Sequence, residues 1–318
     1  MRRVAGLVLS ALGTFLIILA LLTRFVVVGE AVKDPLNENT VVELVANNAS
    51  YFSPSHLSEL TGNLEDTLTT QGDSSSGSSS TAVWTQFSYV YDRTNAQTVS
   101  YSTERLAFDR RNGLLQNCCG TAIGTNTHVH VSGLGYVWPI SAQKKTYEVF
   151  NTTLMKPVAA VYSGTAMVDG IQTYKYVENV PPTATGTQTV PGTLVGLTSS
   201  ASVTLPEYYT SSTTEYVDPI SGGPVKGTSS QHIYLQNSSG APVLTLINAN
   251  FVTTPASVAS VANTVKTDDN EIDILSFIVP LIVGIVGVIL LAMGLIMYLV
   301  RREAPVYEDD LEVGGVTV

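Results

Sequence analysis

Residues 84–91 read Trp-Thr-Gln-Phe-Ser-Tyr-Val-Tyr, a run dominated by aromatic and β-branched residues. This composition favours a β-strand with one buried face. Short runs of the same kind recur through the middle of the chain, at 128–131, 172–177, 213–217, 232–235 and 243–247. Their roughly even spacing predicts a mainly β domain, built either as an antiparallel β-sandwich or as a barrel-like sheet.

Turn-forming residues separate these runs. An Asp-Gly pair at 169–170 lies between runs at 158–167 and 171–177, which predicts a hairpin. Asn-Gly within 111–113 and Gly-Gly within 221–223 mark further turns. These turns are typical of strands that are neighbours both in sequence and in an antiparallel sheet.

Two longer segments lack a clear strand pattern. Residues 71–81 form a Ser/Gly tract, which predicts a flexible surface loop. Residues 180–191 are rich in Pro and Thr, and they predict either a second loop or a break between two halves of the domain.

A few helices are expected to flank the sheet. The first is indicated by leucines at three- and four-residue spacing, Leu57, Leu60, Leu64 and Leu68, although Gly62 weakens this pattern. The second is expected to begin at Thr254-Pro255, a typical cap and first-turn proline. Its apolar face consists of Val258, Val261, Ala262 and Val265.

Uncharged apolar runs lie near both ends of the chain. Residues 4–23 and 274–300 contain no Asp, Glu, Lys or Arg. At about 1.5 Å per residue, each run can cross a hydrocarbon core of about 30 Å as a helix. We therefore predict N- and C-terminal transmembrane α-helices at 4–28 and 274–300, with a β-rich domain at 29–273 between them.

Arginines indicate the orientation of these spans. Arg2 and Arg3 precede the first span, and Arg301 and Arg302 follow the second. Because basic residues concentrate on the cytoplasmic side, both termini are expected there. Arg24 argues weakly for the opposite orientation, but four arginines outnumber it.

The resulting topology is a multi-pass protein of the plasma membrane. Residues 1–3 and the acidic tail at 301–318 are expected to be cytoplasmic, and 29–273 extracytoplasmic. An alternative is a cleaved signal peptide, because 29–31 reads Gly-Glu-Ala, the small-x-small form of a cleavage site. Under either interpretation the β-rich domain is extracytoplasmic.

Charge and cysteine content exclude some function classes. The formal net charge is −10, which disfavours non-specific binding to nucleic acid. The two cysteines, Cys118 and Cys119, are adjacent, so a disulfide between them cannot link distant segments of the chain. In an oxidising compartment we expect a vicinal disulfide there, acting as a rigid turn; a redox switch is the alternative.

Candidate catalytic and metal-binding residues are sparse. His128 and His130 would share one face of a strand and could pair as metal ligands, but the sequence supplies no third ligand nearby. The sequence contains no recognisable motif for a nucleophile elbow, a zinc protease, a phosphate loop or a calcium-binding loop. We therefore predict no enzyme activity, no cofactor and no metal.

The predicted spans have the composition of anchors. Ser10 and Thr14 are the polar side chains inside the first span, too few for a wet passage. Small residues indicate close helix packing, within one chain or in a homo-oligomer. They are Gly6, Ser10, Gly284, Gly287 and Gly294.

Several segments resemble the porin PorA-like family, two-span envelope proteins of actinobacteria. They are 106–113 (LAFDRRNG), 117–120 (NCCG), 132–139 (SGLGYVWP), 145–150 (KTYEVF), 168–176 (VDGIQTYKY) and 215–219 (EYVDP). The resemblance implies an extracytoplasmic β-rich domain on paired helices and no catalytic residue. It also implies a role in envelope assembly or lipid handling, while the family name suggests a channel.

Two hypotheses follow. In the first, the β domain binds a lipid, another apolar ligand or an envelope-assembly protein next to the membrane lipids that hold its anchors. In the alternative, several copies form a porin or channel. An elongated apolar pocket would favour lipid, and conductance in a planar bilayer would favour the channel.

Overall fold

The computed structural model describes residues 2–300. It is mainly β, with 48% of residues in strands, and has two terminal helices long and apolar enough to span a membrane. Arg301, Arg302 and the predicted tail at 301–318 lie outside the described residues, as does the side chain of Arg2. The predicted fold class is therefore confirmed.

The strands are β1 (Asn39–Ser53), β2 (Ser58–Gly72), β3 (Thr81–Asp92), β4 (Gln97–Asp109), β5 (Leu115–Gln116), β6 (Ala122–Ile123), β7 (Tyr147–Asn151), β8 (Lys156–Val168), β9 (Ile171–Pro191), β10 (Ser202–Val217), β11 (Pro224–Gln236) and β12 (Pro242–Thr253). The α-helices are α1 (Arg2–Leu22), α2 (Val28–Ala31), α3 (Pro255–Asp273) and α4 (Val279–Leu299). Two π-helical segments, Thr23–Val27 and Ile274–Ile278, and a 3₁₀ helix, Gly192–Val195, complete the secondary structure.

All twelve strands belong to one antiparallel sheet. Its order is β5-β4-β3-β2-β1-β12-β11-β10-β9-β8-β7, and β6 pairs with β4. The sheet curls into a half-barrel. Of the two architectures predicted from the sequence, the structure thus has the barrel-like sheet, because one curled sheet can bury one face of its strands without a second sheet.

A short segment joins the two edges of the half-barrel. The backbone N–H of Leu115 on β5 donates to the carbonyl of Gly133 at 2.8 Å. On the other side, the Leu134 N–H donates to Glu148 O at 2.7 Å, and Phe150 N donates to Leu134 O at 2.9 Å. Backbone groups that would otherwise be unpaired at both sheet edges are satisfied here.

Side chains buried within the curl form the core, and we call the face that carries them the inner face. One cluster contains Tyr51, Leu64, Val90 and Phe251, and a second contains Trp138, Ala160, Tyr176 and Val217. A third lies at the β3–β4 edge and contains Trp84, Leu106 and Phe108. Phe108 packs edge-to-face on Trp84 with 4.8 Å between ring centroids.

The helix predicted from the leucines at 57–68 is wrong, because Leu60, Leu64 and Leu68 lie in β2 and Leu57 lies in the turn before it. Leu60, Leu64 and Leu68 are four residues apart, a spacing that suits a helix but is also a multiple of the two-residue repeat of a strand. Gly62 pairs with Ala49 of β1, and the carboxylate of Asp92 occupies the space where its Cβ would lie.

The loop or domain break predicted at 180–191 is also wrong, because β9 continues to Pro191. The pairing of β9 with β8 ends at Glu178, opposite Ala160, whereas its pairing with β10 continues to Pro191, opposite Ser202. Residues beyond Glu178 therefore form a sheet edge on one side, where proline is tolerated.

The run at 128–131 is not a strand but part of an irregular connection after β6. The other predicted strands lie in β3, β9, β10, β11 and β12. The Asp169-Gly170 hairpin is present between β8 and β9, and both residues have positive φ, 46° and 82°, as a two-residue hairpin turn requires.

The predicted amphipathic helix after β12 is α3. The Thr254 hydroxyl accepts from the Ser257 N–H at 3.2 Å and caps its first turn. Ala262 and Val265 are buried against Val168, Ile171 and Val225 of the sheet. Burial of this apolar face stabilises the helix.

Candidate functional site

Several carboxylates lie on the inner face of the half-barrel, among them Asp92, which is opposite Leu64. Glu178 is opposite Thr213, and Glu215 is opposite Tyr176, so the two glutamates occupy neighbouring strands one step apart on the same face. Asp66 and Glu104 lie on the same face of β2 and β4. We call Asp66, Glu104, Glu178 and Glu215 the inner carboxylates.

Burial shifts the titration of the inner carboxylates. It raises the pKa of Glu178 to about 8, with a further contribution from neighbouring Glu215. It also raises the pKa of Glu215, against the lowering effect of the hydrogen bond from Trp138. The pKa of Glu104 rises to about 7 through burial. At neutral pH Glu178 therefore favours the protonated form, which can donate as well as accept hydrogen bonds.

Glu178 is almost completely buried, with an exposed fraction of 8%, and no side-chain hydrogen bond to it is found within residues 2–300. The ion pairs Arg93–Glu65, Arg105–Asp73 and Lys266–Asp169 involve other carboxylates. Glu178 and Glu104, whose side chains have no hydrogen bond within residues 2–300, are therefore the inner carboxylates best placed to bind something else.

Hydroxyl groups continue this polar surface across the sheet. The hydroxyl groups of Thr213 and Ser229 lie 3.0 Å apart, and Ser229 is opposite Phe251 of β12. On the other half of the sheet, Ser88 donates to Asp66 at 2.8 Å. The inner face thus has a polar centre between apolar clusters, which does not resemble the elongated apolar pocket expected for a bare acyl chain.

Aromatic rings adjoin Glu215. The Trp138 ring stacks on Tyr176 with 4.0 Å between centroids, and Tyr147 and Tyr162 meet Tyr176 edge-on. The hydroxyl of Tyr176 donates to Gln143 O at 2.7 Å. Since these rings pack against one another, they also fix the position of the indole that holds Glu215.

Cys118 and Cys119 are joined by a disulfide in the turn between β5 and β6. Both residues are exposed, and Cys119 has a φ of 61°. The two cysteines are adjacent in the sequence, so this site could be recognised without the structure.

The two histidines considered as metal ligands, His128 and His130, are exposed in the connection after β6. Among the described residues no group of three or more His, Cys, Asp or Glu side chains could hold a metal ion. A Ser–His contact does occur at the β1–β2 turn, where Nδ1 of His56 lies 3.0 Å from Ser53 Oγ. These residues are three apart in sequence, so the contact belongs to the turn.

The helices α1 and α4 pack through small residues. Gly6, Gly13 and Ala20 are the buried positions of α1, seven residues apart, and Pro280, Gly287 and Gly294 repeat this spacing on α4. A Cβ on Gly294 would lie 2.7 Å from Gly6 O, and one on Gly287 would lie 2.9 Å from Gly13 O. We call these six positions the glycine seam.

The seam corresponds only in part to the small residues selected from the sequence. Gly6, Gly287 and Gly294 belong to it, and the backbone of Ser10 lies against Gly294. A Cβ on Gly284 would meet only Ala20 Cβ, at 3.7 Å. Gly13 was missed, although the seven-residue repeat that contains it is visible in the sequence.

Polar groups of the helix pair are satisfied within it. The Thr14 hydroxyl donates to Ser10 O at 2.9 Å. Arg24, in the first π-helical segment, donates to Ser276 O in the second. A π-helical turn leaves carbonyl groups without their usual partners, so this bond satisfies one of them.

Comparison with known families identifies the chain. The model of the family described as Porin PorA matches residues 5–296. The chain belongs to the Porin PorA family. The match includes both apolar helices, the sheet and the vicinal cysteines, so the resemblance inferred from the sequence segments is confirmed. The search among curated proteins found no match.

Proposed function

We propose that this PorA-family member is a non-enzymatic protein of the cell envelope, held in the plasma membrane by two helices, with its β domain outside the cytoplasm. The β domain would bind an envelope-assembly protein or a lipid, with no cofactor. The observation that carries this proposal is the glycine seam, which supports an anchoring role for the helix pair and recognition by the sheet.

The seam supports an anchor because it brings two backbones into direct contact. Small residues at seven-residue spacing let α1 and α4 approach without a gap for water. The side chains on their other faces are large and apolar, for example Phe15, Ile18, Ile285 and Ile289, each at least half exposed. Such faces suit membrane lipids.

The inner carboxylates support recognition of a ligand with polar groups. A protonated carboxyl next to hydroxyl groups and aromatic rings can bond to hydroxyls or amides of a lipid headgroup or of a partner protein. Mass spectrometry of the organic extract from purified full-length protein tests this. We expect a co-purified amphiphile whose amount falls in Glu178→Gln and is unchanged in Glu43→Gln, a substitution of an exposed carboxylate. An extract equal to that of an unrelated membrane protein would contradict lipid binding.

Orientation has its own test. In a Cys118→Ser/Cys119→Ser background, a single cysteine at Ser76 should react with an impermeant maleimide on intact cells. Labelling only after lysis would place the β domain in the cytoplasm.

The second candidate is a porin subunit, which the family match favours. It requires several copies in contact through surfaces other than the glycine seam, because the seam is occupied within one chain. Purified protein in a planar bilayer distinguishes the two candidates. We expect no conductance; discrete channels would favour the porin.

A further inference from the structure

The turn that carries Cys118 and Cys119 is held by other bonds. Asn117 donates from its amide to Val131 O at 2.9 Å and accepts from Val131 N at 2.7 Å. On the other side, Thr121 donates from its backbone N–H and its hydroxyl to Cys118 O, at 3.1 and 2.8 Å. The frame of the turn is therefore independent of the disulfide.

The disulfide also contributes little as a staple. Stabilisation by a cross-link grows with the length of chain that it closes, and this bridge joins consecutive residues. A buried bridge could still fill a core, but both cysteines are exposed. A purely structural role thus explains neither its position nor its accessibility.

The backbone at the bridge is held in an unfavourable conformation. Cys119 has a φ of 61° and is followed by Gly120 with a φ of 80°. A side chain in this region costs free energy, which glycine avoids. Opening the bridge would let Cys119 leave this conformation.

A positive charge lies beside the turn. Nε of Arg105 is 3.4 Å from the position that a Cβ on Gly120 would occupy. The same guanidinium donates to Oδ2 of Asp73 at 2.8 Å. Asp73 in turn accepts from the hydroxyl groups of Ser75 and Ser76 at 2.6 and 2.8 Å. Arg105 therefore connects the cysteine turn with the Ser/Gly loop at 73–80.

We propose that Cys118–Cys119 is a thiol–disulfide exchange site for a dithiol reductant outside the protein. A thiolate of the dithiol attacks one cysteine Sγ, forms a mixed disulfide and releases the other cysteine as a thiolate. The second thiol of the reductant then attacks the mixed disulfide. The reductant ends as a disulfide, and the two cysteines gain two electrons and two protons.

Arg105 acts here as a positioning residue. Its charge favours the thiolate that leaves during the first step. Once Cys119 leaves its positive-φ conformation, the Arg105–Asp73 pair transmits the change to residues 73–80. The site is independent of the ligand bound by the inner face.

The test uses full-length protein in detergent micelles with dithiothreitol as the dithiol. Because the chain has two cysteines, maleimide adducts counted by mass spectrometry report the site alone. We expect no adduct before reduction and two after it, with the melting temperature changed by less than about 2 °C. Adducts that form only in denaturant, or a loss of cooperative melting on reduction, would overturn the proposal.

Matched variants test the role of Arg105. Arg105→Gln should slow reduction about five-fold, whereas Arg93→Gln, which removes the arginine of another ion pair of the sheet, should leave the rate unchanged. Equal rates of disulfide reduction in both variants would show that Arg105 has no role at the site. Hydrogen exchange after reduction should rise at 73–80 as well as at 117–124; a change confined to 117–124 would disprove the coupling.

Discussion

The indole Nε1 of Trp138 donates a hydrogen bond of 2.8 Å to Oε2 of Glu215. Trp138 comes from the irregular connection before β7, and Glu215 comes from the inner face of β10. This bond satisfies one oxygen of a buried carboxyl, whereas the neighbouring Glu178 has no such donor among the described residues. The two glutamates are therefore unequal, and Glu178 is the better point at which to test the inner face.

Stability should fall as pH rises, and Glu178 should account for part of the fall. The pKa of Glu178 is raised from 4.5 to about 8 in the folded protein. Its contribution to stability is therefore complete below the pKa of the unfolded state and is lost as pH rises through the pKa of the folded state. Urea denaturation of the full chain in micelles, followed by tryptophan fluorescence, should give a lower free energy of unfolding at pH 8.5 than at pH 5.

Glu178→Gln should weaken this pH dependence. At pH 8.5 its free energy of unfolding should exceed that of the wild type by a few kcal/mol, the order of magnitude that corresponds to a pKa shift of this size. Glu43→Gln is the matched control and should keep the wild-type slope. If the free energy of unfolding of all three proteins depended equally on pH, burial would not disfavour the charged form of Glu178.

The buried carboxylate of Asp92 should be a major source of stability. It accepts from Tyr51 Oη at 2.7 Å, Asn95 Nδ2 at 2.6 Å and Thr94 N at 2.7 Å. Burial raises its pKa, but these bonds outweigh burial and lower it, so its contribution is present above the unfolded pKa and is lost as pH falls below it.

Asp92→Ala leaves those donors unpaired and should lower the free energy of unfolding by about 3–5 kcal/mol, whereas Tyr51→Phe should cost about 1–2 kcal/mol. Asp109→Ala, which removes a half-buried turn carboxylate that accepts from Arg111 and Asn112 N–H groups, should cost less than about 1 kcal/mol. Similar losses for both aspartates would contradict the importance of burial.

Gly62 should tolerate no side chain, because the Asp92 carboxylate occupies the position of its Cβ. Gly62→Ala should therefore cost about 1–3 kcal/mol through overpacking. Gly186, also within a long strand, has no atom within 4 Å of its Cβ position and provides the control. Gly186→Ala should be neutral or slightly stabilising in the same urea titration; equal losses would indicate a general effect of alanine in these strands.

Local patterns predicted the strands, the hairpin at Asp169-Gly170, α3 and the apolar helices, since each depends on residues near in sequence. The errors have a common cause. Leucines spaced four residues apart fit both a helix and a strand. The strand is distinguished by its pairing with β1, where Gly62 is opposite Ala49. Prolines 181 and 182 suggested a loop because the sequence does not show that β8 ends opposite Glu178.

The candidate site was less predictable than the fold. Adjacent cysteines are visible in any sequence, but the inner carboxylates are brought together by strand register. Glu178 and Glu215 are 37 positions apart in the numbering, and Trp138 lies in a segment with no regular structure. Nothing local distinguishes them from the exposed glutamates.

The glycine seam should not accept even one methyl group at Gly294. A Cβ on Gly294 would lie 2.5 Å from Ser10 N and 2.7 Å from Gly6 O, both backbone atoms that cannot move independently of α1. Gly294→Ala should therefore separate α1 from α4 and lower the free energy of unfolding of the helix pair in micelles by about 1–3 kcal/mol. Gly284→Ala is the control, since its Cβ would meet only Ala20 Cβ at 3.7 Å. Spin labels at Leu7 and Leu295, in the Cys118→Ser/Cys119→Ser background, should show a longer and broader distance distribution for Gly294→Ala alone. An unchanged distribution in that variant would mean that this contact does not hold the helix pair together.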